Sequence, residues 1–186
     1  MSDGAEIGIP KFVTSGSRGT WQLDLEANGF APTYLAALRA WFFSPAVKLL
    51  LLHRWTVAAR RGGPVGRLLS RALWRWSVAA SACYVSPLAE LAGGICLPHP
   101  TGIVIGEGVR IGERTAIYQN VTLGRAKAST ATYPAVGRSV TIYAGAVVAG
   151  SIAVGDGATI AANAVVLSDV PPGATAVGAP ARVLGA

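Results

Sequence analysis

The stretch Ile105-Gly106-Glu107-Gly108-Val109-Arg110-Ile111-Gly112-Glu113-Arg114-Thr115-Ala116-Ile117-Tyr118-Gln119-Asn120-Val121-Thr122-Leu123 places an aliphatic residue at every sixth position, at Ile105, Ile111, Ile117 and Leu123. The count resumes at Val136 and runs through Ile142, Val148, Val154, Ile160 and Val166. A glycine often follows, as at Gly106, Gly112, Gly124, Gly137 and Gly155. A period of six fits neither an α-helix at 3.6 nor a flat strand at 2.0. It fits a chain wound around a triangular prism, with one residue per wall pointing inward, which is the hexapeptide signature of a parallel β-helix. The expected fold class is mainly β, with a short α-helical region in front.

Working outward from this stretch, Leu91 and Leu97 open the same count, and the register slips by two at Thr101-Gly102-Ile103-Val104. A slip inside a regular repeat often marks a functional site, as bulges do. Val136 stands thirteen positions after Leu123 instead of six, so a loop of about seven is extruded within 124–135. The repeat closes at Asp169-Val170-Pro171-Pro172-Gly173, where two prolines end the strand pattern. The prism is assigned to 84–186, the helical region to 21–83, and residues 1–20 read as disordered.

The helical assignment rests on apolar residues at three- to four-residue steps, Tyr34-Leu35, Leu38, Trp41-Phe42 and then Leu68-Leu69, Leu73, Trp76. Pro45 and Arg61-Gly62-Gly63-Pro64 divide it into three or so helices. The net charge of +7 is concentrated here. No acid falls between Ala27 and Ala89, whereas Arg39, Lys48, Arg54, Arg60, Arg61, Arg67, Arg71 and Arg75 do. With Trp41, Trp55, Trp74 and Trp76 this is the mixture found in interfacial membrane helices, so peripheral membrane contact stands beside the plainer reading of a helical cap with a solvated basic face. No nucleic-acid-reading motif accompanies the charge, so no nucleic-acid partner is expected. Cys83 and Cys96 match no metal motif and read as thiols in a reducing compartment. The first residues carry Asp3 and Glu6 and no apolar run, and the apolar stretch at Leu49–Leu52 is too short to span a bilayer. The expectation is a cytoplasmic protein, with the inner membrane face as its alternative place.

Of the two histidines, His53 sits in a helical apolar run and reads as structural, while His99 stands beside the register slip and reads as catalytic. The segment Leu97-Pro98-His99-Pro100-Thr101-Gly102-Ile103-Val104-Ile105-Gly106 resembles the active-site segment of serine O-acetyltransferases. The likeness continues through Val121-Thr122-Leu123-Gly124, Ile142-Tyr143-Ala144-Gly145-Ala146 and Val154-Gly155-Asp156-Gly157-Ala158. It closes at Val177-Gly178-Ala179-Pro180-Ala181-Arg182-Val183. It covers about residues 83 to 184.

The resemblance implies a left-handed parallel β-helix, homotrimers or dimers of trimers, and active sites in clefts between adjacent prisms. It implies acetyl-CoA as co-substrate and no metal. His99 would take the proton of an acceptor hydroxyl as that hydroxyl attacks the thioester, help worth about 10²–10⁴-fold. Gln119 and Asn120 are possible oxyanion donors. The family's backbone contacts to pantetheine fall on Ala144 and Ala162. Arg125, Lys127, Arg138 and Arg182 are candidates for the CoA phosphates.

Where the family carries an acid fifteen positions before the histidine to orient it, this chain has Tyr84. Where serine acetyltransferases carry an aspartate just before the histidine and an Arg-His pair after the loop, it has Pro98 and Thr132-Tyr133. Groups that hold a zwitterion are gone, and Pro98 with Tyr133 suits the apolar face of a sugar ring. The opening Asp24-Leu25-Glu26-Ala27-Asn28 is similar to that of colanic-acid acetyltransferases. The sequence is therefore read first as a saccharide O-acetyltransferase, second as a serine acetyltransferase with an altered pocket, and last as a non-catalytic scaffold. The chain stops soon after the Ala181-Arg182-Val183 motif, so no cysteine synthase complex is expected. A zinc carbonic anhydrase of the same prism shape needs three histidines and is excluded.

Overall fold

The computed structural model describes residues 19–127, 129 and 132–185. The expectation for residues 1–20 thus lies outside the described residues as far as 18, as do positions 128, 130 and 131 of the loop. Among the described residues four helices come first: α1 (Thr20–Ala27), α2 (Tyr34–Phe43), α3 (Pro45–Arg60) and α4 (Gly63–Ser81). Ser44 explains the sharp break between α2 and α3: its hydroxyl accepts from Val47 N at 3.3 Å and Pro45 takes the first turn, where a missing N–H costs nothing.

Short parallel strands follow, stacked into three sheets. One holds β1 (Tyr84–Val85), β3 (Val104–Ile105), β6 (Thr122–Gly124), β9 (Val147–Ala149) and β12 (Val165–Val166). The second holds β2 (Glu90–Leu91), β4 (Arg110–Ile111), β7 (Ala135–Val136) and β10 (Ala153–Val154). The third holds β5 (Ala116–Ile117), β8 (Thr141–Ile142), β11 (Thr159–Ile160) and β13 (Thr175–Val177), with β14 (Arg182–Leu184) added antiparallel at its end. This is the expected prism. All ten aliphatic residues of the six-residue count, Ile105 to Val166, are at most 1 % exposed. Each contributes about 1.5–3 kcal/mol by leaving water.

The register records both irregularities of the sequence. Regular coils advance by eighteen, as Ile142 pairs with Ile160. Ile117 pairs with Ile142, twenty-five on, because the loop is extruded between β6 and β7. Val85 pairs with Ile105 and Cys96 with Ala116, twenty on, so the coil that carries His99 holds two extra residues.

The helices and the prism share one core, since Ala46, Leu49 and Leu50 of α3 pack with Val85, Ile95 and Ile103. His53 on the same helix is buried, and its Nε2 has no partner among the described residues. Desolvation first, and the neighbouring Arg54 charge second, lower its pKa to about 3. The unfolded chain binds this proton near pH 6.5 and the folded chain only near 3. The contribution of neutral His53 to stability is therefore complete above about pH 6.5 and is lost as the pH falls toward 3, at ~1.4 kcal/mol per pH unit. Denaturation of His53→Leu and wild type at pH 7 and at about pH 4.5 should show the variant gaining about 2–3 kcal/mol on the wild type at the acid point. An equal loss in both proteins would refute the buried neutral ring.

Candidate active site

His99 sits at the prism edge that joins the third sheet to the first. The two extra residues make this corner longer than the equivalent corner at Tyr118–Val121, and they leave the imidazole exposed. Its carbonyl accepts from Thr101 N at 2.8 Å, which fixes the backbone of the bulge. Among the described residues nothing hydrogen-bonds to the ring. Its aromatic neighbour is Tyr118, with ring centroids 6.4 Å apart and edge-on, and Tyr118 stacks in turn on Tyr143 at 5.1 Å. That ladder was not foreseen from the sequence. The signal was the spacing of twenty-five between the two tyrosines, one coil plus the extruded loop.

The same edge carries Gln119, Asn120, Ala144 and Ala162 below His99. Asn120 has φ +58° and lies over Gly102, where a β-carbon would come within 2.2 Å of its Oδ1; Asn163 repeats the arrangement on Gly145. Asn120 thus has a corner-forming role. Gln119 Oε1 is buried without a partner among the described residues. Ala162 is exposed, and neither its N–H and carbonyl nor the N–H of Ala144 takes an intrachain partner among the described residues. Small side chains with unspent backbone groups fit the slender pantetheine arm that the family resemblance puts there.

The remaining sequence candidates stand elsewhere. Tyr84 makes no hydrogen bond to His99; its ring meets Trp74 edge-on at 5.2 Å. Tyr133 covers Gly106 and Gly108, donates to Glu107 Oε1 at 2.8 Å and has Arg125 5.6 Å from its ring centre. Desolvation, then the bond to Glu107, raises its pKa. Tyr133, Arg125 and Lys127 belong to the edge between the first and second sheets, whereas Pro98 and His99 belong to the opposite edge of the first sheet. Within one chain, Pro98 and Tyr133 therefore do not share a pocket. Arg138 is engaged by Asp156, with Nη2 donating at 2.8 Å and its backbone N–H at 2.7 Å. Arg182 is exposed on β14.

The helical region completes the surroundings of His99. A cleft of about 620 Å³ is bounded by Asn28, Phe30, Phe43 and Ser44 on one side and by Pro98 and His99 on the other. Among the described residues, no side chain lining it is a carboxylate, an ammonium or a guanidinium. The strand leading to His99 is gripped from α1. Asp24 Oδ1 accepts from Gly94 N at 2.9 Å and Ile95 N at 3.1 Å. Asn28 accepts from Leu97 N at 3.1 Å and donates to Ile95 O at 2.8 Å. Arg54 Nε donates to Asp24 at 3.1 Å, and the guanidinium also donates to Leu91 O and Ala92 O. Burial pushes the Asp24 carboxyl up, while Arg54 and the two backbone N–H groups pull it back.

Among curated proteins, the serine acetyltransferase of Mycobacterium tuberculosis is 37% identical over 169 residues, 90% of this chain and 72% of that protein. That of Helicobacter pylori is 43% identical over 141 residues, 75% of this chain and 81% of the relative. The chain belongs to the serine acetyltransferase family. The soybean apoenzyme of this family superposes with a TM-score of 0.79 at 34% identity, over 89% of this chain and 67% of the soybean chain. Solved relatives include the soybean enzyme complexed with serine, TM-score 0.78 and 34% identity over 89% and 68% of the two chains. They also include a serine acetyltransferase in complex with CoA, TM-score 0.73 and 32% identity over 89% and 68%. The coil is accordingly the left-handed parallel β-helix expected of the family. The chain spans only about two fifths of the serine acetyltransferases of rice and Buchnera aphidicola that it also matches, 40% and 39% of their lengths. No family model matches the chain.

Proposed function

We propose that the chain is an acetyl-CoA-dependent O-acetyltransferase of the serine acetyltransferase type. The observation that carries this reading is His99, thrust out by a two-residue bulge at an open edge, between a polar-uncharged cleft and a row of small residues with unspent backbone groups. A neutral imidazole there accepts the proton of the acceptor hydroxyl as its oxygen adds to the thioester carbonyl carbon. The tetrahedral intermediate collapses by breaking the carbon–sulfur bond, and the CoA thiolate leaves and takes the proton from His99. A thiolate leaves so much more readily than an alkoxide that no acyl-enzyme is required.

L-Serine is the acceptor favoured by the relatives, whose solved forms include complexes with serine and with CoA. A saccharide hydroxyl is the second reading, favoured by the uncharged lining of the cleft beside His99 and by Pro98 at the position before it. A serine zwitterion needs paired charges once desolvated, whereas a sugar needs hydroxyl partners and an apolar face. The two edges of the first sheet, one with His99 and Pro98 and the other with Tyr133 and Arg125, would face each other across neighbouring prisms in a ring of three. Release of CoA thiol from acetyl-CoA, measured with L-serine and with a panel of mono- and oligosaccharides, decides between the acceptors. Turnover with serine at least tenfold above the sugars supports the first, and the reverse ranking supports the second. No thiol release with any hydroxyl acceptor would remove both.

A further inference from the structure

Among the described residues, α2 and α4 carry large apolar side chains on their outer faces. On α4, Ser70 and Ser77 face inward and are buried, while Val65, Leu68, Leu69 and Trp76 point outward at 79 %, 69 %, 52 % and 47 % exposure. On α2, only Ala40 is fully buried, while Tyr34, Leu38 and Phe42, at four-residue steps, face out with Leu35. A helix on a water-facing surface puts its apolar stripe inward, so large side chains turned outward on two neighbouring helices mark a face that is covered in use. Trp41 joins the pieces: its ring lies 5.1 Å from Trp55 and 6.0 Å from Trp76, with the Lys48 ammonium 5.5 Å above it. An apolar hollow of about 590 Å³ opens between α2 and α3, lined by Trp21, Tyr34, Leu38, Trp41, Phe42 and Trp55.

We propose that this face docks the protein on an anionic lipid bilayer. Charge chooses the occupant. Arg67, Arg71 and Arg75 run at four-residue steps along the flank of the α4 stripe, and Arg39 in the middle of α2 and Arg60 and Arg61 at the end of α3 are exposed. No acid lies anywhere from residue 28 to residue 88. A second copy would bring the same cations against these cations, whereas an anionic headgroup layer attracts them and accepts the aromatic rings at its interface. The face lies on the surface rather than spanning: no single helix among the described residues is long and apolar enough to cross, and α2 and α3, which together would be, meet at 114°. Leu49, Leu50 and Leu52 of α3 are already spent in the protein core.

The test is flotation of the whole protein with vesicles of phosphatidylcholine alone and of phosphatidylcholine with phosphatidylglycerol, at low and high salt, beside sedimentation velocity without lipid. Binding to the anionic vesicles alone is expected, weakened about tenfold or more in the Arg67→Gln/Arg71→Gln/Arg75→Gln protein and in Leu38→Ser/Phe42→Ser. Neither set touches the cleft at His99, so CoA-thiol release with a water-soluble acceptor should be unchanged. That keeps this proposal separable from the catalytic one. No binding to anionic vesicles, or equal binding to neutral ones, overturns it. So does a lipid-free assembly that Leu38→Ser/Phe42→Ser breaks into smaller species, which would make a second copy the occupant.

Discussion

Replacing His99 by alanine is expected to lower kcat/KM for acetyl transfer by about 10²–10⁴-fold while leaving the fold and CoA binding intact. The ring is exposed and makes no hydrogen bond among the described residues, so its removal breaks no structural contact beyond the edge-on meeting with Tyr118. The two extra residues of its corner are a cost to a regular coil. A general base accounts for both facts. Steady-state thiol release, with circular dichroism and CoA titration as controls, checks the expectation. A His99→Ala protein that turns over within a few-fold of wild type would remove His99 as the general base.

The fold was legible because a prism repeats one physical demand, an inward aliphatic side chain every six residues, and each violation is visible as a miscount. The slip before Ile105 and the long step from Leu123 to Val136 correspond to the twenty-residue and twenty-five-residue registers. The enlarged corner that exposes His99 was legible for the same reason, since it stands at the slip. What pairs with what across coils was not. Tyr118 and Tyr143 come together only once the extruded loop is added to a coil. Tyr84, one of several candidates to orient His99, makes no hydrogen bond to it and meets Trp74 edge-on, since α4 puts an indole against that face of the prism. Pro98 and Tyr133, read together as an acceptor pocket, sit on opposite edges of a sheet, so a single chain does not join them. Periodicity reports burial, and it is silent on long-range contacts between side chains at corners. The saccharide reading rests on missing charges, on Pro98 with Tyr133 and on the opening at Asp24–Asn28; the relatives carry more weight toward serine.

The largest effect on stability is expected at Asp24. Asp24 read in sequence as part of a family-like opening, and its job is structural: a buried carboxylate in α1 accepting two backbone N–H groups of the strand before His99 and pairing with Arg54. Asp24→Ala would leave the Arg54 guanidinium nearly buried without its counter-charge and Gly94 and Ile95 N–H without acceptors. Breaking such a pair from one side costs about 3–5 kcal/mol. Arg54→Met alone should cost a comparable amount, because it strands the carboxylate and frees Leu91 O and Ala92 O. The double variant should cost clearly less than the two single losses added, with a coupling of about 1–3 kcal/mol. Asn28→Ala, which removes neutral bonds to Leu97 N and Ile95 O, should cost only about 1–3 kcal/mol. Urea denaturation of the four proteins gives these values. Strictly additive single losses, or an Asn28 effect larger than that of Asp24, would mean that the helices hold the His99 strand through packing of Ala46, Leu49 and Leu50 rather than through this buried ion pair.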